Sequence, residues 1–276
     1  MNAKNSYQGL NQVKNNRNPN MGILNYETGK NKFSITRHAP SDSLKFFIQH
    51  YWLVEWDLRE HSPYTQEVLQ HPGVNVVFQP GNSYICGIES RKSVNILQDQ
   101  GQIVGVLFRP GAFHCYVQAP VSTLTDQVVN ISDYFNLDIN TFEEQLFALK
   151  NKEEKIVIVE QLLQQSMPEH DKTVDLLNEV IDKIVYNADI TKVEHLVDQF
   201  GISKRTLQRW FNQYIGVSPK WVIRRYRMHE AIELIERGAD MTQLAMDLGY
   251  FDQAHFSKDF KAAIGKSPKQ YAKNND

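Results

Sequence analysis

Cysteine is scarce. Only Cys86 and Cys115 occur in 276 residues, in no Cys-x-x-Cys or Cys/His cluster, which argues against a disulfide framework and a structural zinc site. Long apolar runs are missing too: no stretch approaches the roughly 20 residues needed to cross a bilayer, and the opening MNAKNSYQGLNQVKNNRNPN has no apolar signal-peptide core. These absences lead to the expectation of a cytoplasmic protein with no membrane partner. Net charge is small, -2 from 30 Lys plus Arg and 32 Asp plus Glu, so the molecule as a whole is no basic coat for nucleic acid. No phosphate-cradling loop, dinucleotide fingerprint or G-x-S-x-G elbow is present. Adjacent His114 and Cys115 would point to opposite faces of a strand, and His50, His71 and His114 lack the spacing and acidic neighbours of a metal site. No enzyme, no cofactor and no metal is therefore expected.

What is present divides in two, as the length favours. Residues 1–28 are rich in Asn, Gln and Lys and have little to bury, so a flexible tail is expected there. Residues 29–140 carry short β-branched or apolar runs (FSITRH, FIQHYWLVEW, EVLQH, VNVVFQP, NSYICGI, SVNILQ, IVGVLFRP) broken by turn signals such as Pro80-Gly81-Asn82 and Pro110-Gly111. With no long helical period between strands, an antiparallel β-barrel or sandwich with some helices is expected. Residues 141–168 turn to helical periodicity, opened by a Thr141/Glu144 capping box, and form a candidate linker or homodimerisation segment. Beyond the Pro168–Asp171 hinge the pattern is helical, which predicts an all-α domain over 172–273.

That second domain repeats itself. Leu196-Val197, Gly201, Ser203, Leu207, Phe211, Gly216 and Ser218-Pro219 are echoed by Leu244-Ala245, Gly249, Asp252, Phe256, Phe260, Gly265 and Ser267-Pro268. The offset is 48 residues before the turn and 49 after it, so the second copy has one extra turn residue. In the first copy Thr191 and Glu194 are expected to cap a short helix, Gly201 to make the tight turn, and Ser203 to cap the next helix. There Leu207, Trp210 and Phe211 face inward, while Lys204, Arg205 and Gln208 project near the amino end, where a recognition helix meets base edges. In the second copy Asp240 is expected to cap a helix burying Met241, Leu244, Ala245 and Leu248. Asp252 caps a helix that buries Phe256 and Phe260 and turns Gln253, Ala254, Ser257 and Lys258 toward solvent.

A helix from about Pro219 to Arg237 connects the copies and can fix their spacing. Its Arg224, Arg225 and Arg227 reach either phosphate or Glu230 and Glu233. After Gly201 bases outnumber acids, consistent with a local positive face.

GISKRTLQRWFNQYIGVSPKWVIRRYRMHEAIELI and DMTQLAMDLGYFDQAHFSKDFKAAIGKSPKQY, in this order and spacing, resemble the DNA-binding domain of the arabinose/xylose-type (AraC/XylS) family of bacterial transcription regulators. The resemblance implies that Arg205, Gln208 and Arg209 hold contact positions of the first recognition helix, and Gln253, Ala254, Ser257 and Lys258 those of the second. Ala254 offers a base no hydrogen bond, so readout there is apolar or absent. Ser203, Arg224, Arg225 and Lys261 are the candidate backbone contacts. The implied partner is double-stranded DNA, with RNA polymerase a further one, and the resemblance favours activation over repression.

FIQHYWLVEW, QHPGVNVVFQPG and VGVLFRPGAFHCYVQAP look similar to a regulatory domain that precedes such units, although His71-Pro72-Gly73 stands where a Pro-Asp-Gly-like turn is usual. Trp52, Trp56, His71, Asn75, Phe108 and Arg109 are the candidate lining of a small-molecule effector pocket, with core aromatics and polar rims as the alternative. The competing functional reading makes the first domain an interaction module that only tethers the DNA-binding unit. A buried polar cavity would favour sensing; a filled core with an exposed apolar patch would favour tethering.

Overall fold

The computed structural model describes residues 22–273, apart from the side chains of Met241 and Thr242. Residues 1–21 of the expected tail, and the expected burial of Met241, lie outside the described residues. The tail does not extend to residue 28, because Ile23 bridges to Val68 and both Ile23 and Leu24 are buried.

The first domain holds two antiparallel sheets. Strands β1 (Ser34–His38), β2 (Ile48–Asp57), β4 (Asn75–Phe78), β5 (Tyr84–Cys86), β7 (Gln100–Phe108) and β8 (Val128–Asn130) form a six-stranded sheet in the order β1-β2-β7-β4-β5-β8. Strands β3 (Tyr64–Val68) and β6 (Ser93–Leu97) make the other. Six of the seven apolar runs of the sequence each supply a strand, whereas EVLQH meets β3 only at Glu67 and Val68 because that strand begins earlier, at Tyr64. Short β8 and helix α1 (Phe113–Val117) have too little local pattern to be read in advance.

Period-two alternation divides the large sheet into two faces. On one, Tyr51, Leu53, Val76, Ile85, Val104, Val106 and Phe108 join a core closed by helices α2 (Ile139–Ala148) and α3 (Lys152–Gln165), through Phe142, Leu146, Ile156, Val159, Leu162 and Leu163. Segment 141–168 is thus two helices packed on the sheet. The apolar face that the sequence offered for dimerisation is already covered, and only Val157 and Met167 stay exposed there. The cap also differs from the expected box: Asp138 accepts from Thr141 N and Oγ1, and Asn151 opens α3 after a break at Leu149.

Helix α4 (Lys172–Tyr186) begins the helical domain, followed by α5 (Val193–Phe200), α6 (Lys204–Trp210), the connector α7 (Pro219–Glu236), α8 (Met241–Asp247), α9 (Gln253–Ile264) and α10 (Pro268–Ala272). A π turn, Phe211–Ile215, extends α6. The connector serves two cores. Val222 and Ile223 pack with α4 to α6, whereas Met228, Ala231, Ile232 and Ile235 pack with α8 to α10. At 18 residues it is about 27 Å long, enough to hold two modules apart as one rod.

Candidate nucleic-acid interface and the cavity beside it

Each module is a capped turn between two helices. Gly201 and Gly249 take φ values of 63° and 71°, the left-handed region that a side chain resists. Ser203 Oγ accepts from Thr206 N at 3.1 Å, and Asp252 Oδ1 from His255 N at 2.6 Å, so α6 and α9 begin as the sequence predicts. The Thr191/Glu194 box is not formed. Lys192 stands at the start of α5 without a side-chain cap, and Glu194 instead ion-pairs with Lys204 at 2.6 Å.

Leu207, Phe211, Phe256 and Phe260 are buried, which turns the opposite faces of α6 and α9 outward. Lys204, Arg205, Gln208 and Arg209 are exposed on α6; Gln253, Ala254, Lys258 and Lys261 are exposed on α9, with Ser257 half-buried. Gln253, Ala254 and Ser257 share a cleft of about 300 Å³ with Ser267, Pro268 and Lys269 of the next helix start. Phe251, which sequence reasoning passed over, stands 95% exposed just before the Asp252 cap. A large aromatic in the turn, where the first copy has Ile202, was the available signal.

The connector arginines part ways. Arg224 ion-pairs with Asp259 of α9, not with Glu230 or Glu233. Arg227 donates to the Thr191 carbonyl at 3.0 Å and lies over the Tyr250 ring, tying the first module to the second. Arg225 faces away from the surface proposed for phosphate. It is 3% exposed and donates to the main-chain carbonyls of Gln70, Glu89 and Ser90 at 3.3, 2.9 and 2.8 Å. Burial pushes its guanidinium down to about 10 against the pull of Glu89 and Asp126. Ser203 commits its hydroxyl to the cap.

Other contacts dock both modules on the first domain. The Tyr214 ring lies 4.2 Å from that of His114, with its Oη donating at 2.9 Å to Asp171 Oδ2 at the start of α4, while Thr125 Oγ1 donates to the Gly216 carbonyl. Lys92 N donates to the Ala263 carbonyl at the end of α9, and His71 stacks on His229 of the connector at 4.0 Å.

Between the two sheets lies a cavity of about 340 Å³. Trp52, His71 and Asn75 line it, as expected; Trp56, Phe108 and Arg109 do not. Phe108 falls on the opposite face of β7 and fills the core. Trp56 packs on Gly101 and donates to the Gln98 carbonyl, whereas Arg109 follows the end of β7 and reaches the Lys45 carbonyl. Strand parity adds what the sequence reading missed, since Arg37, His50 and Gln66 also border the space, and Glu89 borders it from the loop after β5. Burial, with Arg37 adding to it, pushes the His50 imidazole down to about 4, and burial pushes the Cys86 thiol up to about 12. Trp52 Nε1 donates to Asn75 Oδ1 at 3.1 Å.

Among the described residues no three metal-ligating side chains come together, and no helix is long and apolar enough to cross a membrane. Residues 196–274 match a family described as a helix-turn-helix domain, and residues 36–130 one described as a domain of unknown function (DUF6597). Among curated proteins, the HTH-type transcriptional activator RhaS of Escherichia fergusonii is 31% identical over 118 residues, 42% of each chain. RhaS of Pectobacterium atrosepticum is 36% identical over 75 residues, 27% of each. The chain spans less than half the length of these curated relatives. Among solved structures, the C-terminal domain of AraT from Geobacillus stearothermophilus is 26% identical, with TM-score 0.32, over 34% of this chain and 84% of that one. ToxT from Vibrio cholerae is 10% identical, with TM-score 0.39, over 87% and 98%.

Proposed function

Because the chain is an AraC/XylS-family helix-turn-helix protein with an amino-terminal domain of unknown function, we propose that it is an effector-responsive transcriptional activator. The carrying observation is the pair of capped helices α6 and α9, which turn Arg205, Gln208, Arg209 and Gln253, Lys258 to solvent while one connector packs into both of their cores. Arg205 and Gln208 are the base readers of α6 in this proposal, since Arg matches guanine and Gln adenine in the major groove. Lys261 and the free edge of Arg224 serve phosphate, and Arg225 is withdrawn from that role because it is buried in the domain interface.

Support for sensing over tethering comes from the cavity, which is bordered by polar side chains where a filled core was the alternative. Activation, with RNA polymerase as partner, rests on the activator relatives and is tested with the rest. Selection of genomic fragments bound by the full chain, followed by transcription from the recovered promoters, is the experiment. One recurrent bipartite site and higher transcript with the protein present are expected. Recovery of random fragments would refute sequence-specific binding, and a fall in transcript would reverse the sign.

A further inference from the structure

The polar groups of the cavity gather at one corner. Strands β1 and β2 pair with Arg37 opposite Trp52, and His50 stands two residues before Trp52 on the same face of β2. All three border the cavity, and each keeps part of its surface open. Gln66 enters from β3, between Tyr64 and Val68, which pack with Ile35 and Trp52 in one cluster. It is only 6% exposed, yet it borders the same space, and its side-chain amide has no hydrogen-bond partner among the described residues. A guanidinium, an imidazole and an amide are thus brought around one indole, and each carries N–H donors. Glu89, an acid that also borders the cavity, comes from the loop after β5, four strands from β1 in the sheet, and its carboxylate faces Ser93, Gln70 and Arg225. Trp52 lies over Gly105, where any Cβ would run into the indole, and Val54, Val77, Ile103 and Leu107 continue that wall.

Resting on the reading of this cavity as the effector site, we propose that it takes a small organic acid with an apolar body, its carboxylate held by Arg37, His50 and Gln66 and its body laid along Trp52. A carboxylate brings two acceptor oxygens and no donor, which complements this corner, and a guanidinium can meet it with two parallel charge-assisted bonds. Burial works against the charge on the Arg37 guanidinium and on the His50 ring, so an anion beside them would relieve both. An ammonium at the same place would meet like charge from Arg37. A volume of about 340 Å³ lies at the small end of ligand pockets, which favours a one-ring or short branched body over a long acyl chain.

The test uses the full chain with three probes of one body and different heads: hydrocinnamate, hydrocinnamamide and phenethylamine. Melting temperature is followed against probe concentration, since a ligand that binds only the folded state raises it. A saturable rise with hydrocinnamate is expected, smaller with the amide and absent with the amine. Arg37→Gln should weaken the acid by about tenfold or more and leave the amide little changed. Gln66→Leu, which removes a donor and keeps the bulk, should weaken the acid several-fold, and it replaces the arginine variant if circular dichroism shows that one unfolded. Equal stabilisation by the amide or the amine, an undiminished response to the acid in the folded variants, or no response to the acid overturns the proposal. Affinity for a selected DNA fragment, measured with and without hydrocinnamate, separates the ligand class from the effector reading. Binding that depends on Arg37 or Gln66 yet leaves DNA affinity unchanged upholds the ligand class and refutes the effector role.

Discussion

Arg224 on the connector and Asp259 on α9 form an ion pair in which the arginine side chain is 44% exposed and the aspartate side chain only 8%. The orientation of α9 against α7 is thereby tied to a charge that cannot be left alone. Arg224→Ala should destabilise the protein by about 1–3 kcal/mol, because it takes the closest partner from a desolvated carboxylate and leaves it His255 at 3.8 Å. Asp259→Asn in the same chain should recover much of that loss. Denaturant unfolding of the single and double variants measures both, and additive losses would show that the pair is not coupled.

Arg205→Ala and Gln208→Ala should each weaken binding to the selected site by about 1–3 kcal/mol and barely change binding to scrambled DNA. Both residues are exposed, so folding stability should stay within about 0.5 kcal/mol of the parent. Titrations on both DNAs decide the matter: equal losses would assign these side chains to the backbone.

Phe251 is open to solvent just before the amino end of α9, three residues ahead of Ala254, which can offer a base only an apolar contact. Phe251→Ser should leave melting unchanged and lower DNA affinity several-fold. Unaltered affinity would remove Phe251 from the interface.

His50 links stability to pH. Its ring takes a proton only below about 4 in the folded protein, against an ordinary value of 6.5. Between those values the unfolded chain binds more protons, so the contribution is complete above 6.5 and is lost as pH falls toward 4. The loss attributable to this ring should be on the order of 1–3 kcal/mol, and His50→Gln should flatten that part of the profile. An identical slope in the variant, followed by thermal unfolding from pH 7 to pH 4, would place the titration elsewhere.

Much of the helical domain was legible because its signals are local. Ser203 and Asp252 announce two helix starts, Gly201 and Gly249 two turns, and Leu207, Phe211, Phe256 and Phe260 recur at the helical period. The Thr191/Glu194 box failed because Glu194 met Lys204, a contact made across the turn from the next helix. The cavity was half legible. Trp52 and Asn75 border it, but Phe108 falls on the other face of its strand, and Glu89 follows β5 in a loop whose side chain no periodicity could aim.

By itself the sequence determined the elements: seven β runs, two repeated modules and a connector, each written in spacings of a few residues that caps, turns and hydrophobic alternation read directly. Tertiary structure decided which faces meet. Strand order brings Gln70 and Glu89 together at one edge of the cavity, and the docking of α7 there turns Arg225 inward while Arg224 goes to Asp259. Adjacent arginines on one helix differ in fate because their neighbours come from segments up to 155 residues away, and no local pattern encodes such an encounter.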